Sequence, residues 1–140
     1  MASQIEDGAP ASARAAAGRD RPEAVLRSIV EGINSGDLEA LMTLYEPRAA
    51  FALQPGTLSL GLEGIREGLA GFVAMKGTLD IKVTRVLEAD GLALVVGVWS
   101  FTGTGADGQP VTLSAQNADV LRRQPDGTWR FVIDNPWGTS

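Results

Sequence analysis

The chain has 140 residues, enough for one domain with a single core, and a net charge of −5 without a basic cluster, which argues against nucleic-acid binding. It contains no cysteine and no histidine, so disulfides, thiolate chemistry and imidazole ligands are excluded. We therefore expect no metal and no cofactor. Any acid–base chemistry must use carboxylates, the single tyrosine Tyr45, or a lysine such as Lys76 or Lys82.

The first segment, residues 1–21, is rich in small residues and has no aromatic residue. It lacks the basic start and continuous apolar stretch of a signal peptide, and no run in the chain is long enough to span a membrane. We expect a disordered tail, followed by one domain over residues 22–138. The protein is expected to be cytoplasmic and not to bind membranes.

Helical patterns dominate the first half of the domain. Val25, Ile29 and Ile33 recur at four-residue spacing on one face, with Asp20 as the expected N-cap. Asp37 is the expected cap of a second helix. We predict helices over residues 22–34, 38–45 and 62–75, and a short strand over residues 49–53.

From Gly77 onward the apolar pattern changes to a period of two, which is typical of strands. The turn dipeptides Asp90-Gly91, Asp107-Gly108 and Asp126-Gly127 separate the segments. We predict four long strands over residues 78–88, 92–103, 110–124 and 128–135. The predicted fold class is α+β: a cone-shaped, curved antiparallel sheet that encloses a pocket with three N-terminal helices, and that bends at Gly97 and Gly103.

Four short motifs fit one known superfamily: Asn34-Ser35-Gly36-Asp37-Leu38, Leu44-Tyr45-Glu46-Pro47, Gly64-Ile65-Arg66 and Asp126-Gly127-Thr128-Trp129-Arg130. With them, residues 21–138 resemble the nuclear-transport-factor-2-like superfamily, in particular its SnoaL-like and ketosteroid-isomerase-like bacterial members. The resemblance implies a cystatin-like α+β roll and a homodimer. The superfamily contains isomerases, cyclases, epoxide hydrolases, dehydratases and non-catalytic binding modules, so it leaves the activity open.

Two mechanisms known in this superfamily match the chain poorly. Ungapped matching places the general-base aspartate of ketosteroid isomerase on Leu53 and its oxyanion-hole tyrosine on Ile29, where neither role is possible. Its oxyanion-hole aspartic acid falls on Asp119, which is retained. Limonene-type epoxide hydrolase needs an Asp-x-Arg pair that is missing from the predicted strands, although Asp134 fits its remaining aspartate. Both mechanisms are therefore disfavoured.

Asp119 and Asp134 are the candidate catalytic residues. Alternation places Asp119 on the same face as Asn117, and Asp134 on the same face as Val132. The hairpin at residues 125–127 sets the two aspartates opposite or diagonal to each other. If both face inward, they share a proton and one pKa rises. In the alternative interpretation, one of them faces solvent or pairs with Arg66, Arg122 or Arg130.

The candidate ligand-binding residues are Tyr45, Gln54, Trp99, Phe101, Asn117, Val132 and Trp137. Trp99 either fills the core or forms a flat wall for a hydrophobic ligand. The Tyr45 hydroxyl is expected at the pocket rim, and Gln54 is expected to orient a ligand. Asn117 either contacts the ligand or makes a sheet-edge hydrogen bond, and Trp137 either closes the pocket mouth or packs in a subunit contact.

Three functions remain open at this point. The chain is a cofactor-independent isomerase, cyclase or lyase that acts on a hydrophobic small molecule, or a module that only binds such a molecule, or a module for a protein partner. The strand that contains Trp99 is apolar on both faces, which bears on whether the chain forms a dimer. Its outer residues Leu92, Leu94, Val96 and Val98 are expected to be covered by helices or by a second subunit, which favours a homodimer.

Overall fold

The structure, a computed structural model, describes residues 19–139. In this range the chain forms α1 (Pro22–Ser35), α2 (Leu38–Met42), β1 (Tyr45–Gln54), β2 (Thr57–Leu60), α3 (Gly61–Ala74), β3 (Thr78–Ala89), β4 (Leu92–Thr104), β5 (Pro110–Arg123) and β6 (Trp129–Asp134). Most of the tail expected at residues 1–21 lies outside the described residues. Arg19 already contacts the domain, because its carbonyl accepts from the Trp129 N–H and its guanidinium donates to the Thr43 carbonyl.

The six strands form one curved sheet in the order β2-β1-β6-β5-β4-β3, and the sheet does not close into a barrel. The predicted α+β class is correct, and the four long strands pair antiparallel through the three predicted turns. One pairing differs from the prediction of an antiparallel sheet, because β1 pairs parallel with β6. No turn joins these two strands, so local sequence carries no signal for their relative direction.

The start of α1 and the end of α2 differ from the positions predicted from the sequence. The N-cap position of α1 is Arg21 rather than Asp20, and no side chain caps it. Asp37 does cap α2, accepting from the Ala40 N–H at 3.0 Å. That helix ends at Met42, three residues earlier than predicted, so Tyr45 begins β1 instead of ending a helix.

An irregularity in the register of β3 lies beside Gly97 of β4. The register between these strands shifts between Val83 and Arg85, next to Gly97. A Cβ on Gly97 would lie 2.5 Å from the Lys82 carbonyl oxygen, so only glycine fits this close approach without a shift of backbone. This close approach explains why glycine occupies the position, and the bend predicted at Gly97 stays a prediction.

The core lies between the helices and the inner face of the sheet. Apolar residues of α1 and α3 pack against inward residues of the strands, and Trp99 is 6% exposed, as its apolar strand predicted. The side chain of Asn34 exchanges hydrogen bonds of 3.0 and 2.7 Å with the backbone of Leu79 and so joins the end of α1 to the edge strand β3. This contact fixes one side of the space beneath the sheet.

The outer face of β4 is partly open to solvent. Leu92, Leu94 and Val98 are 41%, 37% and 40% exposed. Within residues 19–139, the helices pack on the inner side and leave this face uncovered. None of the helices in that range is long and apolar enough to cross a membrane.

Candidate functional site

The helices and the sheet enclose a cavity of about 70 Å³ that is apolar on most sides. Ile29 and Ile33 of α1, Leu69 of α3, and Trp99 and Phe101 of β4 contribute to its wall. Its polar lining consists of Asn117, Asp119 and Asp134. The sequence-predicted groups Trp99, Phe101, Asn117, Asp119 and Asp134 therefore lie around one space.

This cavity is smaller than the deep pocket expected from sequence. A cavity of about 150 Å³ is known to hold benzene, so a volume of about 70 Å³ suits only a smaller group. Phe72, Leu79 and Ile81 line the cavity and are half-buried, so they form its boundary toward solvent. A larger ligand must protrude between them or move them.

Asp119 is held on the inner face of β5 by two hydrogen bonds. Its Oδ2 accepts from Asn117 Nδ2 at 2.8 Å and its Oδ1 accepts from the Asn135 backbone N–H at 2.8 Å. The side chain is 2% exposed. The register, in which Val120 lies opposite Ile133 and Ala118 N–H donates to the Asn135 carbonyl, places Asp119 across from Asp134.

Asp134 is held from the other side by Tyr45. The Tyr45 hydroxyl donates to Asp134 Oδ2 at 2.5 Å, and the tyrosine is 1% exposed. Its ring stacks on Phe131 with centroids 5.0 Å apart. The parallel pairing of β1 with β6 causes this arrangement, because it places Tyr45 opposite Phe131 and Phe51 opposite Asp134.

Burial and mutual repulsion make this an unusual carboxylate pair. Burial, and then the charge of Asp134, raise the pKa of Asp119 well above its ordinary value. Burial raises the pKa of Asp134 to about 6, although hydrogen bonds from Tyr45 and Asp119 lower it in part. Burial and the charge of Asp134 raise the pKa of Tyr45 well above 10, so the phenol stays protonated. The charge of Asp134 favours the protonated form of Asp119, so Asp134 is the first of the two carboxyls to ionise as the pH rises.

The arginines that were candidate partners of the aspartates lie elsewhere. Arg66 pairs with Glu39 across α3 and α2 at 2.5 Å, and Arg122 pairs with Glu46 at 2.9 Å. Arg130 lies within electrostatic reach of Asp126. These contacts disagree with the alternative in which an arginine neutralises Asp119 or Asp134.

Trp99, which lines the cavity, packs against Trp137 near the C-terminus. The rings of Trp99 and Trp137 meet edge to face with centroids 5.4 Å apart. Trp99 Nε1 donates to the Pro136 carbonyl at 2.5 Å, and Trp137 Nε1 donates to the Ala52 carbonyl at 3.0 Å. Trp137 does not itself line the cavity, although its neighbour Pro136 does, and both roles suggested for Trp137 stay predictions.

Besides Trp137, three predicted ligand-binding residues lie outside the cavity wall formed by residues 19–139. Gln54 is exposed at the turn between β1 and β2. The strand β2 was not predicted from the sequence. Val132 falls at a bulge, because Ile133 pairs with Val120 while Phe131 pairs with Leu121. The extra residue turns Phe131 inward together with Asp134, and Val132 does not line the cavity. Tyr45 lies behind Asp134 instead of at the rim.

Other residues at the cavity were not predicted from the sequence. Phe51, Leu79, Ile81 and Phe131 line the cavity, and the backbone N–H of Asn135 holds Asp119. The apolar residues carry no signal that separates a cavity wall from ordinary core. Within the part of the chain that the structure describes, no cluster of side chains is suited to hold a metal ion.

Comparison with known proteins identifies the fold. The family model described as "SnoaL-like domain" matches residues 26–132. A search of curated proteins found no match.

Several solved structures share the fold at low sequence identity. A nuclear transport factor 2-like superfamily protein from Salmonella enterica superimposes with a TM-score of 0.71 at 20% identity, covering 83% of this chain and 87% of that one. A ketosteroid isomerase-like protein from Erwinia carotovora gives 0.69 at 18% identity and covers 85% and 92%. An NTF2-like protein with a cystatin-like fold from Novosphingobium aromaticivorans gives 0.68 at 19% identity and covers 89% and 83%.

Proposed function

The chain belongs to the SnoaL-like domain family, and on this premise we propose that it is a cofactor-independent isomerase, cyclase or lyase for a small, mainly apolar carbonyl compound. The observation that carries the proposal is the Asp119–Asp134 pair on the wall of an otherwise apolar cavity. An enzyme that moves a proton needs an acid and a base whose pKa values differ, and this pair supplies both.

The proposed step uses Asp134 as the base and Asp119 as the acid. Asp134, ionised above pH 6, removes a proton from the carbon next to the carbonyl group. Asp119, which keeps its proton, donates a hydrogen bond or the proton to the carbonyl oxygen, so that an enol forms. Return of a proton to a different carbon gives an isomer, and loss of a neighbouring leaving group gives elimination. No oxidant or reductant is needed.

The surroundings of the pair support this division of roles. The Tyr45 hydroxyl donates to Asp134 Oδ2, which stabilises the carboxylate and lowers its pKa. The same arrangement gives the protein a rigid base, because the tyrosine is stacked and buried. The fold relationship to a ketosteroid isomerase-like protein is consistent with proton-transfer chemistry on this scaffold.

Deuterium exchange into a simple ketone tests the proposal without knowledge of the natural substrate. We expect the protein to accelerate the exchange of the methyl protons of acetone, a ketone smaller than benzene, for deuterium in D₂O, and proton NMR measures the rate. Asp119→Asn and Asp134→Asn should each lower the rate on the order of a hundredfold. The rate should fall as pH decreases below about 6, where Asp134 is protonated.

Asp80→Asn is the matched control, because Asp80 is exposed on β3 away from the cavity. It should exchange the ketone as fast as the wild type. Binding of acetone without any aspartate-dependent exchange would contradict the enzyme proposal and leave a binding module as the better account.

A further inference from the structure

One aromatic residue lies at the boundary between the cavity and solvent. The aromatic residues Phe51, Trp99, Phe101 and Phe131 of the cavity wall are buried and come from strands. Phe72 also lines the cavity, but it is half-buried and comes from α3. Among the aromatic wall residues that the structure describes, Phe72 alone therefore touches both the cavity and the solvent.

The backbone next to Phe72 is held in place, so its side chain sets the boundary. At the end of α3, the Met75 carbonyl accepts from the Thr104 N–H at 3.0 Å, which fixes the helix to the end of β4. The Phe72 ring packs edge to face on Phe101, with ring centroids 5.5 Å apart. A smaller side chain at position 72 would therefore widen the cavity on its solvent side and leave the strands in place.

The size of the cavity makes this ring important for the choice of ligand. The volume of about 70 Å³ is well below the volume of about 150 Å³ at which an apolar cavity holds benzene. The space that the Phe72 ring occupies adjoins this volume. Without the ring, a larger ligand would have room beside Phe101 and could reach solvent.

We propose that Phe72 determines the substrate specificity of the site, because its ring limits the wild-type protein to carbonyl compounds smaller than benzene. A smaller residue at position 72 would admit six-membered rings. That the ligand is a carbonyl compound rests on the proposed function, whereas the size limit applies to any apolar ligand. An apolar pocket discriminates about 10–200-fold for a single methylene group, so one ring is enough to separate acetone from the larger cyclohexanone.

Benzene binding tests the size limit without any chemistry. NMR titrations with benzene compare the wild type, Phe72→Ala and Val73→Ala. We expect saturable shifts for Phe72→Ala and none for the other two proteins, because only the first variant enlarges the cavity. Val73→Ala is the matched control, since Val73 is the next residue of α3 and is half-buried, but does not line the cavity.

Deuterium exchange measures the same effect on ketones. The exchange rate of cyclohexanone relative to that of acetone should rise at least about tenfold in Phe72→Ala and stay unchanged in Val73→Ala. Phe72→Leu removes the ring but keeps a large apolar side chain, so it disturbs the fold less. It should change benzene binding and the ketone ratio in the same direction as Phe72→Ala, by a smaller factor.

The inference is overturned if the wild type binds benzene as tightly as Phe72→Ala does, if folded Phe72→Ala binds none, or if Val73→Ala gains as much. Should Phe72→Ala not fold, benzene affinity in Phe72→Leu that equals that of the wild type overturns it. Failure of the proposed function has a different signature. Aspartate-dependent exchange of both ketones would then be absent, while benzene binding would still depend on the residue at position 72.

Discussion

Asp134 is under opposing influences from its neighbours. Burial in an apolar wall raises its pKa, and the hydrogen bond from Tyr45 partly reverses this shift. The folded protein therefore binds the Asp134 proton more tightly than the unfolded chain does. The stability that this binding contributes is fully present below pH 3.8 and is lost as pH rises toward 6. Above that pH the fold carries a buried charge, which is the state that the proposed chemistry needs.

Replacement of Asp134 by Asn should show how much the buried charge of Asp134 destabilises the fold. An asparagine oxygen can still accept from Tyr45, and its NH₂ group can donate to Asp119. We expect the variant to gain stability relative to the wild type between pH 4 and pH 8, by on the order of 2–3 kcal/mol. Thermal unfolding at the two pH values measures the gain, with Asp80→Asn as the exposed control. A stability difference that does not change with pH would disagree with a raised pKa of Asp134.

Among the helices and strands, the features that depend on residues close together in the chain could be predicted from the sequence. The hairpin turns at Asp90-Gly91 and Asp126-Gly127 are local, and Gly91 and Gly127 have the expected positive φ of 77° and 86°. The second turn also sets the strand register, which is why the Asp119–Asp134 pair was predictable. Tyr45 was misplaced because its position depends on a pairing with a strand 89 residues away from it.

Small irregularities of the sheet could not be predicted from the sequence either, because nothing in the local pattern marks them. The bulge at Val132 reverses the inward alternation of β6, and no turn or glycine in that strand marks it. The strand Thr57–Leu60 is short and mostly exposed, so it lacks the alternation that predicts a strand. By contrast, a glycine within an apolar strand is itself a signal, and Gly97 lies at a close approach of two strands.

Substitution of Gly97 tests this close approach. Gly97→Ala would place a Cβ 2.5 Å from a backbone oxygen, so we expect a loss on the order of 1–3 kcal/mol in the free energy of unfolding. Gly71→Ala is the matched control, because an added Cβ there meets nothing within 4 Å on an exposed position of α3. The control should gain about 0.5–1 kcal/mol. Chemical denaturation measures both, and equal stability of Gly97→Ala and wild type would contradict the steric argument.

At the scale of the whole molecule, the two faces of the sheet differ in how far they are covered. The inner face is covered by helices and contains the cavity. The outer face presents Leu87, Leu94, Val98 and Ile133, which are 54%, 37%, 40% and 39% exposed. These residues come from three strands of one sheet. Neighbouring apolar residues on an open sheet face are typical of an interaction surface.

We propose that this outer face pairs with a second copy of the chain in a homodimer. A lysine placed there would have to be buried without a partner, so Leu94→Lys and Val98→Lys should shift the protein from dimer to monomer without unfolding it. Sedimentation at micromolar concentration measures the mass, and circular dichroism checks the fold. Leu60→Lys is the control, because Leu60 is 73% exposed on β2 at the opposite edge of the sheet and should leave the dimer intact. A wild-type protein that sediments as a monomer at these concentrations would contradict the proposal. Dissociation by Leu60→Lys alone would instead place the contact at the β2 edge.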